Sequence, residues 1–216
     1  MRISDAAFGS DSDSLYEFVG RYLNAMSLPS GVLENWLDND AQVSDYPVHD
    51  SVEGRNWESF VLRDGKPLNL FPFTKKAIIK LFTLLPEHQQ TPRYLLRDIV
   101  ERGVRNYLAG PECFPSFTID RSENYPWNPI EHRSRLMQFV KDTEFNRMDI
   151  FIRIWGDANL FMVTDKAGIK YLGGIPESAF SEFKMAEIQG IDRSFTDTGD
   201  IPDERGKDDQ TSPTAQ

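Results

Sequence analysis

The sequence predicts a mostly α-helical fold with small β-hairpins, an α+β architecture, and three observations predict it. Apolar residues recur at steps of three and four over 14–26, 75–85 and 92–108, the spacing that lays a stripe along one side of a helix. Two pairs of short apolar runs, 60–62 with 68–70 and 160–163 with 169–172, flank turn-forming glycines in the manner of hairpins. After Phe195 the only large apolar residue is Ile201, so 191–216 is expected to be a disordered acidic tail.

In chain order, residues 1–13 read as a polar lead whose acidic and serine residues can cap a helix over 14–26. Leu15, Phe18, Val19, Tyr22, Leu23 and Met26 form its inner stripe. Ser30 is expected to cap a second short helix with Val32, Leu33, Trp36 and Leu37 inside. A hairpin turns at Asp64-Gly65 and ends at Pro72, which has no backbone donor for a ladder. Thr74 caps the next helix, with Ala77, Ile78, Leu81, Phe82 and Leu85 inward.

A further helix opens on Thr91-Pro92-Arg93, with Pro92 at the first helical position and Gly110 as a left-handed stop. At about 100° per residue, Arg93 falls within the sector that holds Val100, Val104 and Tyr107, so it is expected on the apolar face and facing an anion or carboxylate. Residues 116–131 read as a connection that packs through Phe117, Tyr125 and Trp127. An amphipathic helix follows over 132–143. The run from Met148 to Trp155 suits either a buried strand or a helix, with helix slightly favoured. The second hairpin and a helix over 176–183 complete the pattern. The predicted units are therefore 1–115, 116–190 and the tail.

The net charge of −10 argues against nonspecific nucleic-acid binding by the surface as a whole. Yet 75–105 carries seven basic residues against three acidic ones, a local +4 that suits phosphates or an acidic partner surface. The chain shows no apolar run near the roughly 18 residues that a membrane helix needs, and its beginning is unlike a signal peptide. The lone Cys113 excludes an internal disulfide, and a cytoplasmic protein is the expectation.

The sequence carries no recognised catalytic pattern. It lacks the G-x-x-x-x-G-K-[ST] loop that cradles phosphates, the dinucleotide-binding G-x-G-x-x-G and the G-x-S-x-G nucleophile elbow. His49, His88 and His132 lie apart, without ligand spacing, and Cys113 has no local nucleophile signature. Asp38, Asp40, Asp45, His49, Asp50 and Glu53 are oxygen-rich but do not follow the calcium-loop spacing. No enzyme acting alone, no metal and no cofactor are expected.

Leu70-Phe-Pro-Phe-Thr74 and Thr91-Pro-Arg-Tyr-Leu-Leu-Arg97 resemble the helical lid of AAA+ ATPases, as found in P-loop ATPases of the replication-initiator and phage-defence kind. The resemblance covers about residues 14–110. It implies that Arg93 is a sensor-2 residue, which reaches from the lid to nucleotide phosphates, with Arg97 as a second phosphate-contacting candidate. Many such ATPases carry a winged-helix domain after the lid, and 132–186 has that outline of helices followed by a two-stranded wing. Because no Walker-bearing core is present, the resemblance implies a noncatalytic C-terminal part of, or companion to, a P-loop core subunit, with ATP bound only in combination with that core.

Two other readings stand beside this one. A winged-helix regulator would contact DNA through Arg133, Arg135, Lys141, Arg147 and Arg153. An acidic adaptor would dock its basic helix pair on a protein partner, with Arg97, Arg102 and Arg105 as contacts.

Overall fold

The computed structural model describes residues 11–50, 57–116, 130–166, 168–186 and 191–192. The readings made of 117–129 and 193–216 fall outside these residues. The fold is mostly helical with small sheets, as the apolar periodicity predicts.

Helix α1, Ser12–Ser27, is capped by the Asp11 carboxylate, which accepts from the Asp13 amide at 3.1 Å, and it buries Leu15, Val19 and Leu23. Helix α2, Val32–Asp38, starts from Gly31 at φ 85°, a backbone conformation that favours glycine, and Ser30 is not its cap. Its expected inner residue Leu37 is exposed, while Leu33 and Trp36 pack on a small cluster of Tyr46, Leu62 and Leu68. Strands β1, Ser59–Val61, and β2, Pro67–Asn69, pair antiparallel with Phe60 opposite Leu68, turning through Gly65 at φ 84°.

Helix α3, Lys75–Thr83, begins at Thr74. That hydroxyl accepts from the Ala77 amide at 3.0 Å and donates to the Trp155 carbonyl at 2.7 Å, so one capping side chain also ties two distant segments together. The next helix, α4, spans 92–109 in three parts: Pro92–Tyr94, a π segment Leu95–Val100, and Glu101–Ala109. Thr91 occupies the cap position through its carbonyl, which accepts from the Leu95 amide, but its side chain makes no capping bond. Gly110 stops the helix at φ 151° and ψ 131°, a positive-φ conformation distinct from the left-handed turn expected.

Helix α5, Ile130–Phe139, leads to α6, Asp142–Ile150, whose helical path runs on as a π segment, Phe151–Trp155. The run ending at Trp155 is therefore helical. Strands β3, Phe161–Thr164, and β4, Lys170–Leu172, form the expected antiparallel hairpin. Strand β5, Ile175–Pro176, helix α7, Glu177–Glu182, and strand β6, Ile191–Asp192, follow, giving sheet order β5-β4-β3-β6. Because β6 pairs in parallel with β3, this sheet continues beyond residue 190, where the tail was expected to begin.

One hydrophobic core runs through the segments on both sides of residue 115. It joins Leu15 and Val19 of α1, Phe73, Leu81 of α3 and Leu95 of α4 to Phe151, Trp155, Leu172 and Phe183. Phe73 lies 6.1 Å from Trp155 in a stacked arrangement, and the Trp155 indole donates to the Pro72 carbonyl at 2.8 Å. The two units expected from sequence thus share a core.

Candidate partner-docking site

The π segment sets which side of α4 faces outward. A π turn takes about one residue more than an α turn, so the apolar stripe beyond it is displaced by about 100° from a uniform wheel. Leu95, Ile99, Val100 and Gly103 are buried, and Arg93 is exposed rather than seated in the apolar face. Arg93 makes no hydrogen bond or ion pair among the described residues. Arg97, Arg102 and Arg105 are exposed as well, so the four arginines form the solvent side of the helix.

Their neighbours differ. The Arg97 guanidinium grips Asp98 through two bonds of 2.7 and 2.8 Å and lies 4.6 Å from the centre of the Tyr94 ring. Asp98 is held below the usual carboxylate range chiefly by that hydrogen bond. Arg105 lies 3.6 Å from Glu101 one turn back, and its side chain is 80% exposed.

Glu101 also accepts from the Tyr22 hydroxyl at 2.8 Å, which links α4 to α1. Burial, followed by this hydrogen bond and the Glu101 charge, raises the Tyr22 pKa above its ordinary value. Beyond this link, residues of the last turns of both helices line a groove. Its apolar lining comes from Leu23 and Met26 of α1, Val104, Tyr107 and Leu108 of α4, and Phe71 and Pro72. Its volume is about 190 Å³. At the mouth, Leu108 is 74% and Met26 49% exposed, two large apolar side chains left in water.

The polar groups of the groove are mostly occupied. Asn24 donates to the Pro47 carbonyl at 2.8 Å and accepts from the His49 amide at 2.8 Å; the Ser27 hydroxyl donates to the Leu23 carbonyl; and Asn69 accepts from the Phe71 amide. The half-buried His49 ring makes no hydrogen bond among the described residues.

The DNA-contact candidates of the second half separate into two groups. Arg153 is 3% exposed and bonds Asp149 at 2.9 Å, so it is a buried structural ion pair and not a surface contact. Arg147 is likewise spent inside: it donates to the carbonyls of Glu112 and Phe183 and meets Glu144 at 3.2 Å, pinning the 111–113 turn to the end of α7. Both corrections share one reason. Arg153 lies in the π segment that packs against α3, and Arg147 faces the 111–113 turn and the end of α7, so neither guanidinium is turned to solvent. Arg133 and Lys141 are exposed, with Arg133 5.4 Å from the Phe145 ring centre, and Arg135 is half-buried.

The basic helix pair also divides. Lys80 is half-buried and donates to the carbonyls of Arg153 and Gly156 at 2.7 and 2.6 Å, closing the end of the π segment Phe151–Trp155. Burial is the main cause that lowers its pKa. Lys76 pairs with Asp157. Of the pair, α4 is the helix whose basic residues are exposed.

No family model, curated protein or solved structure matches this chain. The resemblance to an ATPase lid rests on the residues quoted for it. Among the described residues no three His, Cys, Asp or Glu side chains converge as a metal site, and no helix is long and apolar enough to cross a membrane. Of the site residues read from sequence, Arg93, Arg97, Arg102 and Arg105 share one exposed helix side. The groove beside them was missed because Met26 and Leu108 carry the periodicity of core residues.

Proposed function

We propose that this protein is a noncatalytic, cytoplasmic docking subunit that holds a protein partner against the exposed side of α4. The observation that carries this reading is the pairing, on one helix, of exposed arginines with an open apolar groove bounded by Leu108 and Met26. Such a surface offers both charge steering and an apolar centre. The test is site-specific photo-crosslinking in cells, with the crosslinker placed at Arg93, Arg102 or Leu108, or at the exposed control Leu37 on α2. The reading expects one shared crosslinked species from the three α4 positions and its absence from Leu37; identical patterns from all four sites would remove it.

A P-loop ATPase core is the partner class that the resemblance implies, and one observation favours it. Arg93 stands exposed on the first turn of α4, as an arginine that reaches a nucleotide on another subunit has to be. Fluorescent ATP titrated against an isolated candidate core, with wild-type chain or Arg93→Ala, tests this assignment. Equal ATP affinity with the two chains would end it. The DNA reading is weakened because Arg147 and Arg153 are committed to internal bonds, and a gel shift without binding at low salt would close it.

A further inference from the structure

We infer that α4 is a two-register helix. Its π segment, Leu95–Val100, slips by one residue into an unbroken α-helix and so changes which side chain the first turn presents to solvent. The device belongs to the helix itself and goes beyond the docking reading.

The sequence supplies a leucine for either register. Counted back from the buried Gly103 at about 100° per residue, an unbroken α-helix puts Leu96 about 20° from the Gly103 direction and Leu95 about 80° away on the other side. The extra residue of the π segment turns everything before it by about 100°. Leu95 therefore takes the inward place and is fully buried, while Leu96 is half-buried and packs against the edge of the same core. A slip of one residue seats Leu96 where Leu95 now lies, so the core keeps the same kind of side chain.

The start of the helix is the part that has to move. Beyond the π segment, the Tyr22–Glu101 hydrogen bond and the close approach of Gly103 to Phe73 hold 101–109 in place. Before it stands one turn, Pro92–Tyr94, with no side-chain capping bond. The residue released by the slip passes into the connection 84–91, where Pro86, Glu87 and His88 are exposed. The contacts of Arg97 with Tyr94 and Asp98 lie within α4 and travel with it. The other π segment, Phe151–Trp155, lacks this freedom, because Thr74 and Lys80 donate to the carbonyls of Trp155, Arg153 and Gly156 at its end.

Two effects oppose each other across the slip. The unbroken helix regains ordinary α-helical hydrogen bonds. It also carries Arg93 from the outward side to about 80° from Gly103, toward the side of α4 that holds Tyr107 at about 40° and Val104 at about 100°. An arginine disfavours that apolar side, and Tyr94 takes its outward place. Packed elements resolve such a balance as two discrete arrangements, not a continuum.

The test is methyl NMR of the full chain with a soluble gadolinium chelate, which broadens methyl signals according to their exposure. Leu81 is the buried reference and Leu108 the exposed one. Leu95→Ala removes the side chain that holds the π register, and Arg93→Leu, at an exposed position, removes the cation that resists the slip. In each variant the Leu96 methyls are expected to lose their broadening and match Leu81; in Arg93→Leu the Leu95 methyls gain broadening. In the wild-type chain, methyl relaxation dispersion is expected at Leu95 and Leu96 and not at Leu81, and Leu96→Ala is expected to abolish it at Leu95. Leu96 broadening that stays at its wild-type value in Arg93→Leu overturns the inference, whether or not Leu95→Ala folds. Flat dispersion profiles at Leu95 and Leu96 of the wild-type chain overturn it as well.

Discussion

Gly103 is buried where α4 packs against Phe73, and replacing it with alanine is a sharp test of how that helix is seated. A Cβ built at this position meets the Phe73 Cζ at 2.3 Å and Cε1 at 2.9 Å. Phe73 is fully buried and stacked on Trp155, so its ring has little freedom to yield. Two effects oppose each other. Alanine in a helix interior gains about 0.5–1 kcal/mol over glycine, whereas forcing a methyl into a packed core costs about 1–3 kcal/mol. Overpacking wins, and Gly103→Ala is expected to destabilise by about 1–2 kcal/mol, a fall of roughly 2–8 °C in Tm for a chain of this size. Urea and thermal unfolding followed by circular dichroism measure it. Phe73→Leu removes the atoms that clash, so adding Gly103→Ala to that variant is expected to be neutral or stabilising by about 0.5 kcal/mol. The double-mutant cycle then shows a coupling of at least about 1 kcal/mol. Gly103→Ala at or above wild-type stability would refute the close approach, and with it the phase of α4 that turns its arginines outward.

Other expectations follow from the same contacts. Asp149→Ala leaves the Arg153 charge buried without its ion-pair partner and is expected to cost about 3–5 kcal/mol in urea melts, while Asp149→Leu/Arg153→Met costs less. Thr74→Ala removes a helix cap and a donor to the Trp155 carbonyl; a loss of about 1–3 kcal/mol is expected in the same assay. Tyr22 titrates above its ordinary 10.0 because it is partly buried and donates to Glu101, so its contribution to stability is whole below pH 10 and is lost as pH rises through the raised value. In spectra of tyrosine ring carbons, Glu101→Gln is expected to bring that titration closer to 10.0, and an unchanged midpoint would contradict the link between α1 and α4.

Periodicity and punctuation made much of the fold legible. Thr74 and Pro92 mark helix starts, Gly65 marks a hairpin, and the stripe of α3 names its buried residues, while that of α1 names Leu15, Val19 and Leu23 but misses Tyr16 and includes the exposed Met26. The π segment in α4 was not legible, because a uniform wheel assumes one angular step and an inserted residue changes it without changing the composition. That is why Arg93 was expected among apolar neighbours. The roles of Arg147 and Arg153 were hidden for a related reason: a basic residue in an amphipathic helix reads as solvent-facing until the partner that covers it is known. The groove depends on how α1 and α4 end side by side, a long-range arrangement that neither stripe encodes alone. Met26 and Leu108 look like core residues by spacing and differ only in having nothing packed beyond them.

The account's central claim, that a protein partner meets the exposed side of α4, is tested most directly by site-specific photo-crosslinking in cells from Arg93, Arg102 and Leu108, with Leu37 of α2 as the control. The account predicts one crosslinked species shared by the three α4 positions and missing from Leu37. The same pattern from all four positions would contradict it.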